Sequence, residues 1–212
     1  MLGVYVTVPV ACFRKGLARE YLETEPLPPP ATCYGFLLSL VGETDRRRHV
    51  GVRVAPVLVN KPQTSVVLRT VWRVKKTPLG SAGNTRPDYQ QLLTGVELVI
   101  WLDSAEEAEA GLESRVGEAL ADPSSVSRFG GLSLGESTHL VDEVSAVETV
   151  KARLDGLSGR AFLLADRGRL TLPVWVDHVG SAGTRYVTGN LVETPVTESP
   201  VVESMPRILA NS

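Results

Sequence analysis

The chain opens on an apolar run, "LGVYVTVPVA", whose β-branched residues predict a buried first strand. After a polar stretch the period changes. In "EPLPPPATCYGFLLSLVGE", Tyr34, Leu37, Leu38 and Val41 recur at three- and four-residue spacing, which puts them on one helical face. Pro30 suits the first turn of that helix, where its missing N–H would be unpaired anyway, and Gly42 is placed to end it. "HVGVRVAPVLVN" and "TSVVLRTVWRVKK" predict two strands joined through Lys61, Pro62 and Gln63. In the second, Arg69, Arg73 and Lys75 share one parity, while Leu68, Thr70, Trp72 and Val74 take the other. One face of that strand is therefore cationic, and the other is expected to pack on a core.

From Thr77 to Leu92, "TPLGSAGNTRPDYQQL" loses the apolar alternation and predicts a long polar loop that holds Arg86. "GVELVIWLD" restores a strand. Ser104 and Glu107 then stand at capping-box spacing, and Ala108, Leu112, Val116 and Ala119 mark an amphipathic helix ending at Pro123. Beyond a glycine-rich stretch, "EVSAVETV", "GRAFLLAD", "RLTLPVWVDHV" and "TRYVTGNLVET" predict further strands, with "ADRGR" as a turn between two of them. Roughly the last dozen residues are polar and proline-punctuated, and are expected to form a loosely held tail. The order over the first half is β-α-β, a long hairpin, then β-α, which resembles a ferredoxin-like split βαβ unit. The fold class expected is α+β: a ferredoxin-like domain over 1–142 and a small C-terminal antiparallel β region with its tail over 143–212.

Composition agrees with this picture and narrows the setting. The 212 residues suffice for a real core, and 14 prolines with 19 glycines favour many turns and a β-rich fold. Cys12 and Cys33 lie far apart in no CxxC pattern, which fits a reduced cytosolic protein and offers no zinc site. With no apolar run of membrane-spanning length and no basic-then-apolar leader, a cytoplasmic protein without membrane contact is expected.

Charge changes the picture more. The formal net charge is only -2. Yet Arg46, Arg47, Arg48, Arg53, Lys61, Arg69, Arg73, Lys75, Lys76 and Arg86 follow one another with no acid between them, and the stretch from Glu97 to Glu148 carries twelve acids against Arg115 and Arg128. Such asymmetry fits a polyanion on one face and protein or solvent on the other, or else two solvated surfaces that differ.

Candidate chemistry centres on "RFGGLSLGEST". Gly131-Leu132-Ser133-Leu134-Gly135 spells G-x-S-x-G, the turn that carries the serine nucleophile of many hydrolases. That turn needs a strand before it and a helix after it, and neither "PSSVSRF" nor "ESTHLVDEV" supplies one, so the match is read as coincidence. No Lys-Ser or Lys-Thr follows the glycines, which removes a nucleotide-binding P-loop. A backbone poor in Cβ atoms remains, able to approach a ligand closely and offer N–H donors beside Arg128, or else a plain surface loop. His49, His139 and His178 are scattered without metal-ligand spacing, so no metal and no cofactor is expected. His139 reads as a structural or RNA-adjacent residue, and His49, within "RRRH", as solvated. Nucleic-acid binding has the most support: dense cations neutralise phosphates, and a cationic strand with a basic hairpin suits an irregular single strand better than a duplex groove. Phe13 beside Arg14 and Lys15, and Phe129 beside Arg128, are candidate stackers or core residues.

The first strand running into "ACFRKG", then "PLPPPATCYGFLLSLVGE", then "RFGGLSLGESTHLVDEV", together resemble CRISPR-associated protein family five, in particular the DevS-like branch of type I-B and Myxococcus-type systems. The resemblance covers most of the chain. It implies an RNA-recognition-type (RAMP) ferredoxin-like domain with a long thumb hairpin and a smaller C-terminal β region. It also implies a non-catalytic subunit that binds the 5′ handle of the crRNA and caps one end of a Cascade surveillance complex. The implied neighbours are the helical backbone subunit and the large subunit, with target DNA reached only through the complex. Carried onto this chain, the thumb is 77–92, which holds Arg86 and is flanked by Arg73, Lys75 and Lys76, with Arg69 also binding RNA. The handle-gripping elements are Arg14 and Lys15 with Arg128, Phe129, Gly130, Gly131, Gly135 and His139. One branch of the family cleaves repeat RNA with a Tyr-Lys-His type of site, but no adjacent Lys-His pair occurs here. The alternatives are a metal-independent endoribonuclease using His139 or His178, and a scaffold without RNA contact. The acidic stretch Ser104 to Asp122 is expected to face a protein neighbour or solvent.

Overall fold

A computed structural model describes residues 1–16, 21–72, 78, 80–109, 111–179 and 181–210. Nine strands form one sheet, with all pairings antiparallel except that of the short second strand. In chain order they are β1 (Leu2–Ala11), β2 (Tyr21–Leu22), β3 (Arg53–Leu58), β4 (Gln63–Trp72), β5 (Thr85–Asp103), β6 (Glu143–Ala146), β7 (Ser158–Leu164), β8 (Leu170–Trp175) and β9 (Arg185–Pro195). The helices are α1 (Pro30–Leu40), α2 (Leu112–Ala121) and α3 (Val147–Leu154). Across the sheet the order is β6-β1-β5-β3-β7-β9-β8, with β2 and β4 flanking the first half of β5.

The apolar runs of the central strands follow from burial on both faces. Val4, Val6 and Val8 of β1, Val54 and Leu58 of β3, and Leu98, Ile100 and Leu102 of β5 join one core under α1 and α2. Their alternates, Tyr5, Ala55, Val57, Val99 and Trp101, join a second core under α3. Registers such as Val4↔Ile100 and Tyr5↔Val99 bring like residues together, so a one-residue slip would expose both sets. The α1 helix fulfils its sequence signals. Pro30 lies in its first turn, and beyond Leu40 Gly42 takes a left-handed φ of +66°. Glu43 N–H donates to Leu38 O at 2.9 Å and Gly42 N–H to Ser39 O at 3.2 Å, the paired bonds of a Schellman ending.

Several expectations are corrected. The stretch Thr77 to Leu92 is not one long loop: Thr85 to Leu92 belong to β5 and pair residue by residue with β4, from Trp72↔Thr85 to Ser65↔Leu92. Its polar alternation hid a strand because the inward side chains, Asp88 and Gln90, are polar and buried. On the face of β4 expected to pack on a core, the described side chains Val66, Leu68 and Thr70 stand in solvent, since this hairpin projects past the helices, and the Trp72 side chain and Val74 lie outside the described residues. β3 and β4 do not pair with each other. They follow one another along the same edge of β5. The second helix starts at Leu112, eight residues after Ser104. Ser104 and Glu107 still cap it, Ser104 Oγ accepting from Glu113 N–H at 3.2 Å and Glu107 from Gly111 and Leu112 N–H, across an intervening turn. "EVSAVETV" is strand only to Ala146 and then becomes α3, whose Val147, Val150 and Leu154 recur at helical spacing. The tail is not loose: Met205 and Ile208 are fully buried, and Ile208 N–H donates to Val52 O at 2.8 Å while its own carbonyl accepts from Gly51 N–H. Two well-placed apolar side chains outweigh the polar residues around them.

Candidate nucleic-acid interface

The glycine-rich stretch is pinned at both ends. At its entry the chain passes against the end of α1, where a Cβ on Gly42 would collide with the Ser127 carbonyl. Arg128 Nη1 donates to Leu40 O at 3.1 Å, one of the carbonyls that the helix end leaves open. At its exit Gly135 has φ +100°, and a Cβ there would lie 2.8 Å from Cys12 O, so only glycine lets the loop close on the end of β1. His139 is buried, and its Nδ1 accepts from Cys12 N–H at 3.1 Å and from Glu136 N–H at 3.3 Å. Leu134 N–H donates to His139 O, and Leu134 itself lies in the core. Between these anchors Arg128 is half-buried, while Phe129, Gly130 and Gly131 are exposed.

The hairpin of β4 and β5 joins the same exit. Glu136 accepts from Gln90 Nε2 at 2.8 Å and pairs with Arg69 at 3.4 Å, so Arg69, Gly135 and His139 are brought together across two elements. Arg86 Nε donates to Asp88 Oδ1 at 2.8 Å on the same hairpin. Near the end of β1, Arg14 bridges Thr24, and Lys15 is half-buried beside Glu23 at 3.7 Å. Arg73, Lys75 and Lys76, together with Thr77 of the expected thumb, lie outside the described residues. The two aromatics part company: Phe13 is core at 2% exposure, and Phe129 is fully exposed.

Folding also cancels much of the charge asymmetry. Arg48 pairs with Glu43 and Glu109, Arg53 with Glu106, and Arg115 reaches from the acidic segment to Glu43 at 2.7 Å. His49, expected in solvent, is only 1% exposed, with Nδ1 at 3.1 Å from both Glu107 Oε2 and Glu109 O, and Nε2 at 3.0 Å from Arg115 Nη1. His49 folds inward and Arg48 is paired at the surface because Glu43, from beyond α1, and Glu107 and Glu109, from the turn that leads into α2, satisfy them. The Arg115 hydrogen bond, the Asp45 backbone N–H and the nearby arginines hold the Glu43 carboxyl down at about 2. Burial pushes the pKa of His139 down, so the ring stays neutral and acts as a hydrogen-bond acceptor rather than a phosphate-binding cation. Ser133 follows no strand and precedes no helix, and its backbone only bridges Leu140. Among the described residues, no three or more His, Cys, Asp or Glu side chains are grouped to hold a metal ion. Nor is any helix of the described residues long and apolar enough to cross a membrane.

A feature that sequence reasoning missed lies beside the loop. Gly35 and Ser39 lie on the side of α1 that is not packed on the core, and with Gly42 just beyond the helix they floor a groove of about 590 Å³. Arg46, Ser127, Arg128, Phe129 and His178 wall this groove, and an adjoining cleft of about 290 Å³ shares Gly35, Ser39, Arg46 and His178 and reaches Ser133 and Gly135. Arg46 is fixed by stacking 4.4 Å above the ring of Trp175 and by donating to Val176 O at 3.0 Å. These groups come from three distant segments, so no local spacing announced them. The one readable signal was a glycine in the middle of an otherwise good helix.

No protein-family model matches the sequence. It is 53% identical over 212 residues to the CRISPR-associated protein Cas5 of Myxococcus xanthus strain DK1622, spanning 98% of this chain and 97% of that protein. The fold is similar to a chain of a CRISPR RNA-guided surveillance complex, with a TM-score of 0.59 and 13% identity over 92% of this chain and 90% of that one. It is also similar to a protein solved as a Cas protein, with a TM-score of 0.53 and 14% identity over 97% of each.

Proposed function

Because the chain belongs to the Cas5 family of CRISPR-associated proteins, we propose that it is the non-catalytic crRNA-binding subunit of a type I Cascade surveillance complex, of the DevS-like I-B or Myxococcus branch. It grips the 5′ handle of the crRNA, caps the backbone filament, and sits beside the large subunit in the cytoplasm. The observation that carries this reading is the glycine loop of Arg128 to Gly135. It is anchored on α1 and on the end of β1, and it leaves Phe129, Gly130 and Gly131 exposed beside the half-buried Arg128. The element order β1-α1-β3-β5-α2-β6, with sheet order β6-β1-β5-β3, supports the ferredoxin-like RAMP assignment, with the fourth strand, β6, reaching just past the expected boundary at 142, and β7, β8 and β9 supply the C-terminal β region. The projecting β4–β5 hairpin is the thumb, which carries Arg69 and Arg86 and leads into Arg73, Lys75 and Lys76. Arg14 and Lys15 extend the cationic track from the end of β1.

The reading is tested by fluorescence anisotropy with cognate crRNA, with and without its 5′ handle, at two salt concentrations and with the RNA run on a denaturing gel. The same titration is repeated in the assembled complex. Handle-dependent, salt-sensitive binding with RNA left intact is the expected outcome. Equal binding of both RNAs would contradict handle recognition. Cleaved RNA would favour the endoribonuclease reading, for which His178 is the accessible histidine, since it is exposed on the cleft that Ser133 also lines. Complex assembly without any RNA dependence on this chain would favour the scaffold.

A further inference from the structure

The groove over α1 carries an inference that rests on the RNA-binding reading and sharpens it. Gly35 lies mid-helix, where glycine is less favourable than alanine, yet a Cβ at that position would meet no atom within 4 Å. Nothing inside the chain therefore requires the missing side chain; what it keeps open is the groove floor. The wall bears Arg46, Arg128 and His178, and the one carboxylate lining it, Glu43, is already paired with Arg115 and Arg48. An anionic occupant is favoured. At the rim the Phe129 ring is fully exposed, and Gly130 beside it, at φ +78°, leaves its approach unobstructed. An uncovered aromatic next to cations is the arrangement on which unstacked bases of single-stranded RNA rest. At about 590 Å³ the groove falls in the size range of clefts that take small ligands.

We infer that this groove receives one unstacked nucleotide of the bound RNA. Its base lies on the Phe129 ring, its sugar passes over Gly35 and Ser39, and its phosphate meets Arg46, Arg128 and His178. The site is thus a single-nucleotide pocket, separate from the backbone contacts along the hairpin.

The test uses a set of crRNAs in which each nucleotide in turn is made abasic, titrated against the full chain in its assembled complex. Wild type, Phe129→Ala and Gly35→Leu are compared. One abasic position should weaken wild-type binding by about 5- to 150-fold, the span expected for loss of one base stacked on an aromatic ring. Phe129→Ala should show that loss with intact RNA and no further loss with that abasic RNA. Gly35→Leu should bind as weakly while unfolding at the same or a higher temperature, because a helix interior gains by the replacement. If both variants bind every RNA as wild type does, the nucleotide pocket is overturned while the RNA-binding role stands. If they bind RNA normally but lose a protein subunit from the complex, the occupant is a protein segment and the inference again fails. Wild-type protein that binds no RNA in the complex would instead overturn the underlying role.

Discussion

Two basic stretches of this chain read alike and end differently. The run Arg46 to Arg53 is the densest cluster of cations in the sequence, yet apart from Arg46, which turns to the groove, its Arg48, His49 and Arg53 fold against Glu43, Glu106, Glu107 and Glu109 and hold the chain together. The stretch opening at Arg128 has a single cation, yet it lies beside the exposed Phe129 and borders an open groove. Local charge density is therefore a poor guide to surface potential. What decides is where the acids of other segments fall once the sheet brings them together. Removing groups from the first region should cost stability, and removing them from the second should cost binding.

The largest effect is expected from Glu107→Ala. It takes one of two acceptors from a histidine at 1% exposure and leaves the Gly111 and Leu112 N–H groups without their acceptor. Each donor left unsatisfied costs about 1–3 kcal/mol, and the sum is read from the denaturant midpoint. RNA affinity of the molecules that remain folded should be unchanged, and a selective loss of RNA affinity at unaltered stability would break the comparison. Next comes Ile208→Ala in the C-terminal segment, which should destabilise by about 2–5 kcal/mol because the side chain is fully buried. A loss under about 0.5 kcal/mol would restore the loosely held tail.

A smaller effect concerns pH. Burial lowers the folded-state pKa of His139 below the ordinary 6.5, so the unfolded chain takes up its proton first. The contribution of His139 to stability should be fully present above about 6.5 and be lost as pH falls from there through the lowered folded value. Protonation would also put a hydrogen on Nδ1, where the Cys12 and Glu136 N–H groups donate. Thermal melts from pH 8 down to pH 5 check this, and a His139→Ala protein should lose that part of the slope. The smallest stability effect is expected from Phe129→Ala, within about 0.5 kcal/mol of wild type, because a fully exposed ring has no internal contacts to lose.

What the sequence made legible follows the range of the interactions involved. The first helix could be read because its signals are local: Pro30, the spacing of Tyr34, Leu37 and Leu38, and Gly42. The central strands could be read because burial on both faces makes them continuously apolar. Misreadings arose where a distant segment decided. Thr85 to Leu92 became strand because β4 lay opposite to accept its hydrogen bonds, and the side chains it buries are Asp88 and Gln90. Ser104 and Glu107 were recognised as caps but assigned to the wrong turn, since the cap reaches across a loop. The glycine loop was visible as a Cβ-poor backbone, read as able to approach a ligand or as a plain surface loop, whereas at Gly135 the close approach is to the Cys12 carbonyl. Its neighbours Arg46 and His178 were not, because β8 and α1 carry them in from opposite ends of the chain.

The most direct test of the account is the salt dependence of crRNA binding for wild type, Arg128→Ala and Arg48→Ala. The slope of log Kobs against log salt should fall by about 0.7 for Arg128→Ala, the contribution of one single-strand phosphate contact. It should stay at the wild-type value for Arg48→Ala, whose guanidinium is already matched by Glu43 and Glu109. A slope reduced by Arg48→Ala and untouched by Arg128→Ala would place the RNA on the basic run and contradict the assignment of the glycine loop.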